Sequence, residues 1–154
     1  MNTDVFISGG GIAGLSTALG FANAGFSVVL AEPAPPPDAM QSDGSDLRST
    51  AFLQPARARV ENAGIWAHLA PHATALEALR VIDSKGTPPA IQTERTFQAT
   101  DLKEAALGWN LPNWLTRKVM TEAAQKAPNL DLRFGTGFKS LLTRDSEAIV
   151  TLTD

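Results

Sequence analysis

Gly9, Gly11 and Gly14 stand at the spacing Gly-x-Gly-x-x-Gly inside the string ISGGGIAG. Residues without side chains at that spacing bring backbone N–H groups close to a diphosphate. Gly9 permits a tight turn out of a strand. Gly11 leaves room for the pyrophosphate, and Gly14 lets a helix pack closely on the strand. Ile12 and Ala13 fall at the start of that helix, where unpaired N–H groups and a partial positive charge favour phosphate. Glu32 is the acid of the set, a carboxylate able to accept hydrogen bonds from ribose hydroxyls. The residues after it are Pro33-Ala34-Pro35-Pro36-Pro37, with no cation, and its charge would repel a 2′-phosphate. That argues against NADP at this site and leaves FAD and NAD open.

These groups need a strand–helix–strand unit to hold them, and the flanks supply one. Asp4 to Ser8 is a short β-branched and aromatic run, which predicts a buried strand. Ile12, Leu15, Ala18, Leu19 and Ala22 recur at helical spacing, and Gly25 stands where a helix should stop. Ser27 to Ala31 is a second strand-length apolar run, closed by Glu32.

Farther along, Pro33 to Asp46 is rich in proline, glycine, serine and aspartate and reads as a long loop of the kind that carries function. Pro55 opens a helix at its first position that stops at Gly64, and Ile65 to Leu69 adds a helical turn. Leu79–Asp83 and Glu94–Ala99 predict two strands. Asn113 to Ala127 predicts a helix between Pro112 and Pro128, with Leu115, Val119, Ala123 and Ala127 repeating every four residues. Leu130 to Phe134 predicts a third strand for the parallel sheet, and Phe138–Leu142 with Ala148–Leu152 a hairpin. The fold class is therefore α/β, a Rossmann-like unit with a parallel sheet.

The composition narrows the function classes. The chain has 154 residues, is 44% hydrophobic and 19% charged, and carries a net charge of −3. That suits a globular domain and gives no nucleic-acid footprint. The absence of cysteine excludes disulfides, thiolate metal sites, a cysteine nucleophile and a cysteinyl-flavin link. There is no basic and apolar leader and no membrane-spanning run, so a cytoplasmic protein is expected. His68 and His72 have the spacing of helical metal ligands, but Pro71 interrupts any helix there and no third ligand is near in sequence; no metal is expected. Trp66, Trp109 and Trp114 are read as packing residues, and Asp43, Asp46 and Glu61 as solvated carboxylates.

Four features together resemble the N-terminal part of a flavoprotein aromatic hydroxylase of the para-hydroxybenzoate hydroxylase type, in the branch acting on ubiquinone precursors. They are DVFISGGGIAGLSTALGFANAGFSVVLAE; the loop DLRSTAF, similar to the branch's Asp-x-Arg-x-x-Ala-Leu with Phe52 in place of leucine; LGWNLPNWLTRKVMTEAA; and the order of elements through NLDLRFG. The resemblance implies FAD as cofactor and NAD(P)H as reductant. It implies O2-dependent transfer of one oxygen to an aromatic ring, and it allows a polyprenylated substrate and peripheral membrane association. It places Arg48 beside the flavin and its pyrophosphate, where a guanidinium suits a diphosphate. Asn113 matches a cofactor-side position at a helix start, and its side chain also suits an N-cap. Arg117, one turn on, is within reach of phosphate or is an exposed helix arginine.

No catalytic acid, base or nucleophile is named. The family's downstream Asp-Gly and Gly-Asp motifs are absent, so the sequence is expected to be a truncated N-terminal part. Its expected divisions are 1–70 for the dinucleotide unit and cofactor loop, 71–112 for part of a second, substrate-side sheet, and 113–154 for the helix, third strand and hairpin. Oligomeric state is not legible. Another FAD or NAD oxidoreductase sharing the first unit, or a non-catalytic nucleotide-binding remnant, are the other readings.

Overall fold

A computed structural model describes residues 2–153. The first strand, β1 (Val5–Ser8), leads into helix α1 (Ile12–Asn23) and returns as β2 (Val28–Glu32). A later strand, β8 (Leu130–Phe134), completes a parallel sheet in the order β1-β2-β8, as the sequence predicts. Alternation along these strands sends Val5, Ile7, Val28, Leu30, Leu130 and Leu132 to the core. There they meet the buried stripe of α1, Leu15, Ala18, Leu19 and Ala22. Helix α4 (Asn113–Lys126) supplies Met120 and Ala124 to the same core. The other sheet face carries Phe6, Val29 and Ala31. Phe6 meets Phe138 of the hairpin β9 (Gly137–Thr143) and β10 (Ala148–Thr153), with ring centroids 6.5 Å apart.

Helix α1 stops where the sequence says. Gly25 adopts φ +91°, and the N–H groups of Gly25 and Phe26 donate to the carbonyls of Ala22 and Phe21. This is the paired closure that a left-handed glycine makes possible. Helix α2 (Gln54–Asn62) ends in the same way at Gly64. It begins one residue before Pro55, not at it.

Between β2 and α4 the chain builds a second layer. Residues 33–48 run without helix or strand, in line with the predicted loop. Strands β3 (Ser49–Leu53), β7 (Gly108–Pro112) and β4 (Thr74–Leu76) form an antiparallel sheet with β7 in the centre. The sequence reading treats DLRSTAF as a loop and passes over all three of these strands. They are short, and the pairing of β3 with β7 joins segments remote in sequence. Beyond them β5 (Ala78–Lys85) and β6 (Ala90–Gln98) form an exposed two-stranded ribbon, longer than the strands predicted there. Helix α3 (Trp66–Leu69) continues into a 3₁₀ turn at Ala70–His72. The tryptophan reading holds for two residues: Trp66 and Trp109 meet edge to face at 5.5 Å, and Arg57 lies 5.2 Å over both rings.

Candidate cofactor site

The turn from β1 into α1 is built as the glycine spacing requires. Gly9 adopts φ +108°, open to glycine and strained for other residues. A Cβ on Gly14 would lie 1.9 Å from the Gly9 carbonyl oxygen, so this helix lies against the strand end only because residue 14 has no side chain. A Cβ on Gly11 would meet nothing within 4 Å. Its missing side chain serves the space outside the protein, not the packing within it. Gly11 is the N-cap of α1 and brings no side-chain cap, and no acid stands in the first turn. The N–H groups of Ile12, Ala13 and Gly14 therefore start the helix without an intrahelical partner. An uncapped helix start beside open space fits an anionic diphosphate.

Glu32 lies close by at the end of β2. Its carboxylate accepts hydrogen bonds from the N–H of Gly10 at 2.5 Å and of Ala34 at 3.1 Å. Gly10, the middle glycine that the spacing argument passes over, has its own reason to lack a side chain. A Cβ there would lie 2.9 Å from the Cβ of Glu32. The acid thus ties the glycine turn to the loop after β2, and its remaining lone pairs are available to ribose hydroxyls.

Arg117 is not an exposed helix arginine. Its side chain is 21% exposed; Nε donates to the Gly10 carbonyl at 2.8 Å and Nη2 to the Ala34 carbonyl at 3.0 Å. Nη2 also lies 3.8 Å from a Glu32 oxygen. Helix α4 therefore reaches across to clasp both loops of the cradle. Sequence spacing hides this, because the residues joined lie 107 and 83 positions apart along the chain.

The N-cap reading of Asn113 is corrected. The N-cap is Pro112, and Asn113 is the first helical residue. Its amide instead donates to Asp46 Oδ2 at 2.9 Å and accepts from Thr50 Oγ1 at 2.7 Å. The start of α4 is satisfied by the loop backbone: the N–H groups of Asn113 and Trp114 donate to the carbonyls of Arg48 and Asp46. Asp46, read from sequence as a solvated carboxylate, is the hub of this network. It accepts from the Arg48 backbone N–H at 3.1 Å, and from Arg48 Nε and Nη2 at 2.8 Å each. These charge-assisted bonds, with that from Asn113, hold the Asp46 carboxyl far below the usual carboxylate range. The Asp-x-Arg element of the sequence was the available signal for this pair.

A cavity of about 400 Å³ joins these pieces. Gly11, Ile12, Glu32, Asn113 and Arg117 line it, and so do Asp46, Thr50 and Trp114. Trp114 thus faces the cavity, unlike the two packing tryptophans. Gly9, Ala13, Gly14 and Arg48 are not among the wall residues. A larger groove of about 610 Å³ between α1 and α2, bordered by Phe21, Phe26, Phe52 and Val60, touches none of the candidate cofactor-binding residues. Among the described residues no helix is long and apolar enough to cross a membrane.

Comparison with known proteins agrees with this geometry. The profile of the FAD dependent oxidoreductase family matches residues 4–149. The 3-demethoxyubiquinol 3-hydroxylase of Escherichia coli (strain K12) is 28% identical over 133 residues, 85% of this chain and 32% of that protein. The chain thus spans about a third of the length of that curated relative. The flavin-dependent monooxygenase PieE, solved in complex with FAD and substrate, superposes with a TM-score of 0.76 at 22% identity, over 100% of this chain and 27% of that one. The p-nitrophenol 4-monooxygenase PnpA from Pseudomonas putida DLL-E4 superposes with a TM-score of 0.71 at 19% identity, over 96% and 35%. These two likenesses show the fold, shared with part of each of these two monooxygenases. With a glycine turn, an acid at the end of β2 and an uncapped helix start around one cavity, and a family profile running along nearly its whole length, this chain belongs to the FAD dependent oxidoreductase family.

Proposed function

We propose that the chain forms the adenosine-diphosphate-binding part of an FAD-, NAD(P)H- and O2-dependent monooxygenase that hydroxylates an aromatic ring of the ubiquinone-precursor class. The observation that carries the binding role is the open space over Gly11 beside Glu32 and the start of α1. The substrate class rests on the kinship with the 3-demethoxyubiquinol 3-hydroxylase. Bound FAD would supply the redox chemistry. The chain's own residues bind and orient it. The N–H groups of Gly11, Ile12 and Ala13 meet the diphosphate, and Glu32 accepts from the ribose. Arg117 fixes the two loops that present them, Asn113 and Asp46 line the same cavity, and Arg48 is bonded to Asp46. Residues 1–70 carry the dinucleotide unit and cofactor loop, 71–112 the beginning of the substrate side, and 113–154 the helix, third strand and hairpin. A polyprenylated substrate would bring a cytoplasmic enzyme into peripheral contact with a membrane. The net charge of −3 gives no basic footprint for nucleic acid.

The test is a titration with FAD followed by flavin fluorescence, with ADP and FMN as competitors. ADP should displace FAD, and FMN, which lacks the adenosine half, should not. FMN displacing FAD as well as ADP does would overturn the assignment of this cavity to the adenosine end.

A further inference from the structure

We propose that Asp46 is a positioning residue that competes with the cofactor diphosphate for Arg48, holding the guanidinium outside the cradle until an anion takes its place. The proposal rests on the reading of this cavity as a diphosphate cradle. The Arg48 side chain is 84% exposed, and one edge of its guanidinium, Nε and Nη2, is committed to both oxygens of Asp46. Asp46 lines the cavity, whereas Arg48 does not.

The loop is arranged so that this pair can open without the loop coming apart. The backbone of Arg48 is fixed on α4 by its carbonyl, which accepts from the Asn113 N–H, and that of Asp46 by the Trp114 N–H. The Asp46 carboxylate keeps a second donor in Asn113, whose amide is held in turn by Thr50. Only the Arg48 side chain has to swing.

The charges give the swing a direction. Of the titratable groups on the wall, Glu32 and Asp46 are carboxylates and Arg117 is the cation. Two of Arg117's donor atoms are already directed to the Gly10 and Ala34 carbonyls. A diphosphate entering here needs a further cation, and Arg48 is the arginine bonded to the wall. A bidentate guanidinium contact is equally suited to carboxylate and phosphate, so one partner can replace the other. An exposed ion pair is weak enough for an incoming diphosphate to replace it.

The experiment uses the full chain in parent, Asp46→Asn, Arg48→Met and doubly substituted forms. Calorimetry measures ADP and adenosine binding. Labelling of Arg48 by phenylglyoxal, read by peptide mass spectrometry without nucleotide, reports how firmly Asp46 holds it. Asp46→Asn should speed labelling severalfold and tighten ADP by about three- to tenfold, the scale of one well-formed ion pair, while adenosine stays within about twofold. Arg48→Met should weaken ADP and not adenosine, and should remove the gain from Asp46→Asn in the double form. Unchanged Arg48 labelling in Asp46→Asn, or equal weakening of ADP and adenosine, would overturn the proposal and leave the cradle reading intact. A parent chain that binds neither ADP nor FAD would overturn that reading and this proposal with it. Should Asp46→Asn fail to fold, the Arg48→Met chain decides: ADP affinity equal to the parent's refutes the exchange.

Discussion

Two glycines of one fingerprint act by different physics. A side chain on Gly14 collides with the Gly9 carbonyl, whereas a side chain on Gly11 enters open space. Gly14→Ala should therefore destabilise the fold by about 3 kcal/mol, toward the upper end for overpacking, seen as a lower midpoint in urea. Gly11→Val should cost the fold no more than about 1 kcal/mol, the scale of a poor N-cap, yet abolish FAD binding in a fluorescence titration. A Gly11→Val chain that binds FAD as the parent does would remove this loop from the site. Arg117 combines both kinds of role. Arg117→Met removes two hydrogen bonds from a charged donor to loop carbonyls. It should cost about 1.5–3 kcal/mol of stability and weaken FAD in parallel, because the loops it clasps present the cradle. Weakened FAD binding with an unchanged urea midpoint would instead mean that Arg117 contacts the ligand directly.

At the level of elements, the parallel pair β1–β2 is fastened at its start by Asp4. One carboxylate oxygen accepts from the Ser27 N–H at 2.8 Å and from the Ser27 hydroxyl at 2.6 Å. These bonds lower the Asp4 pKa in the folded chain. The unfolded value is about 3.9. A depressed carboxylate contributes stability that is present above that unfolded value and lost as pH falls through the folded one. Asp46 works in the same direction at the start of α4. Thermal unfolding from pH 7 down to pH 2 should therefore show an acid limb that is shallower in Asp4→Asn than in the parent. Identical limbs would show that the Asp4–Ser27 contact adds no pH-dependent stability in solution.

The whole molecule is unevenly covered. The core runs from the parallel sheet, α1 and α4 into the second layer through Phe52, Val60, Ile65, Leu69 and Leu111, while β5 and β6 are exposed along their full length. Leu79 pairs across the ribbon with Phe97, and Val81 follows on the same face; all three are exposed. A two-stranded ribbon with an apolar face is marginal alone and prone to pairing. Sedimentation velocity should show concentration-dependent association of the 154-residue chain, reduced by Leu79→Lys with Val81→Lys. A monomer at all concentrations would refute it. The chain also spans 32% of the curated hydroxylase it matches. Turnover requires a complete constellation, and the role proposed for the residues assembled here is to bind and orient the cofactor. Supplied with FAD, NADH or NADPH, oxygen and a panel of phenols, the chain should yield no ring-hydroxylated product by mass spectrometry. Substrate-dependent product above a no-protein control would show otherwise.

The sequence by itself determined the strand–helix–strand unit, its glycine turn, Glu32, the helix from Asn113, the third parallel strand and the final hairpin. Each is written in local periodicity or in short-range spacing, where neighbours along the chain are neighbours in space. Only the tertiary structure decided what the site's charged groups face. Arg117 reaches Gly10 and Ala34 because α4 packs against α1, and Asn113 meets Thr50 and Asp46 because β3 pairs with β7. Those partners lie far apart in sequence, and no propensity encodes a contact that exists only once the two layers have packed. The same holds for Asp46, whose carboxylate looks solvated residue by residue and becomes the hub of the loop before β3 once the start of α4 has closed against it.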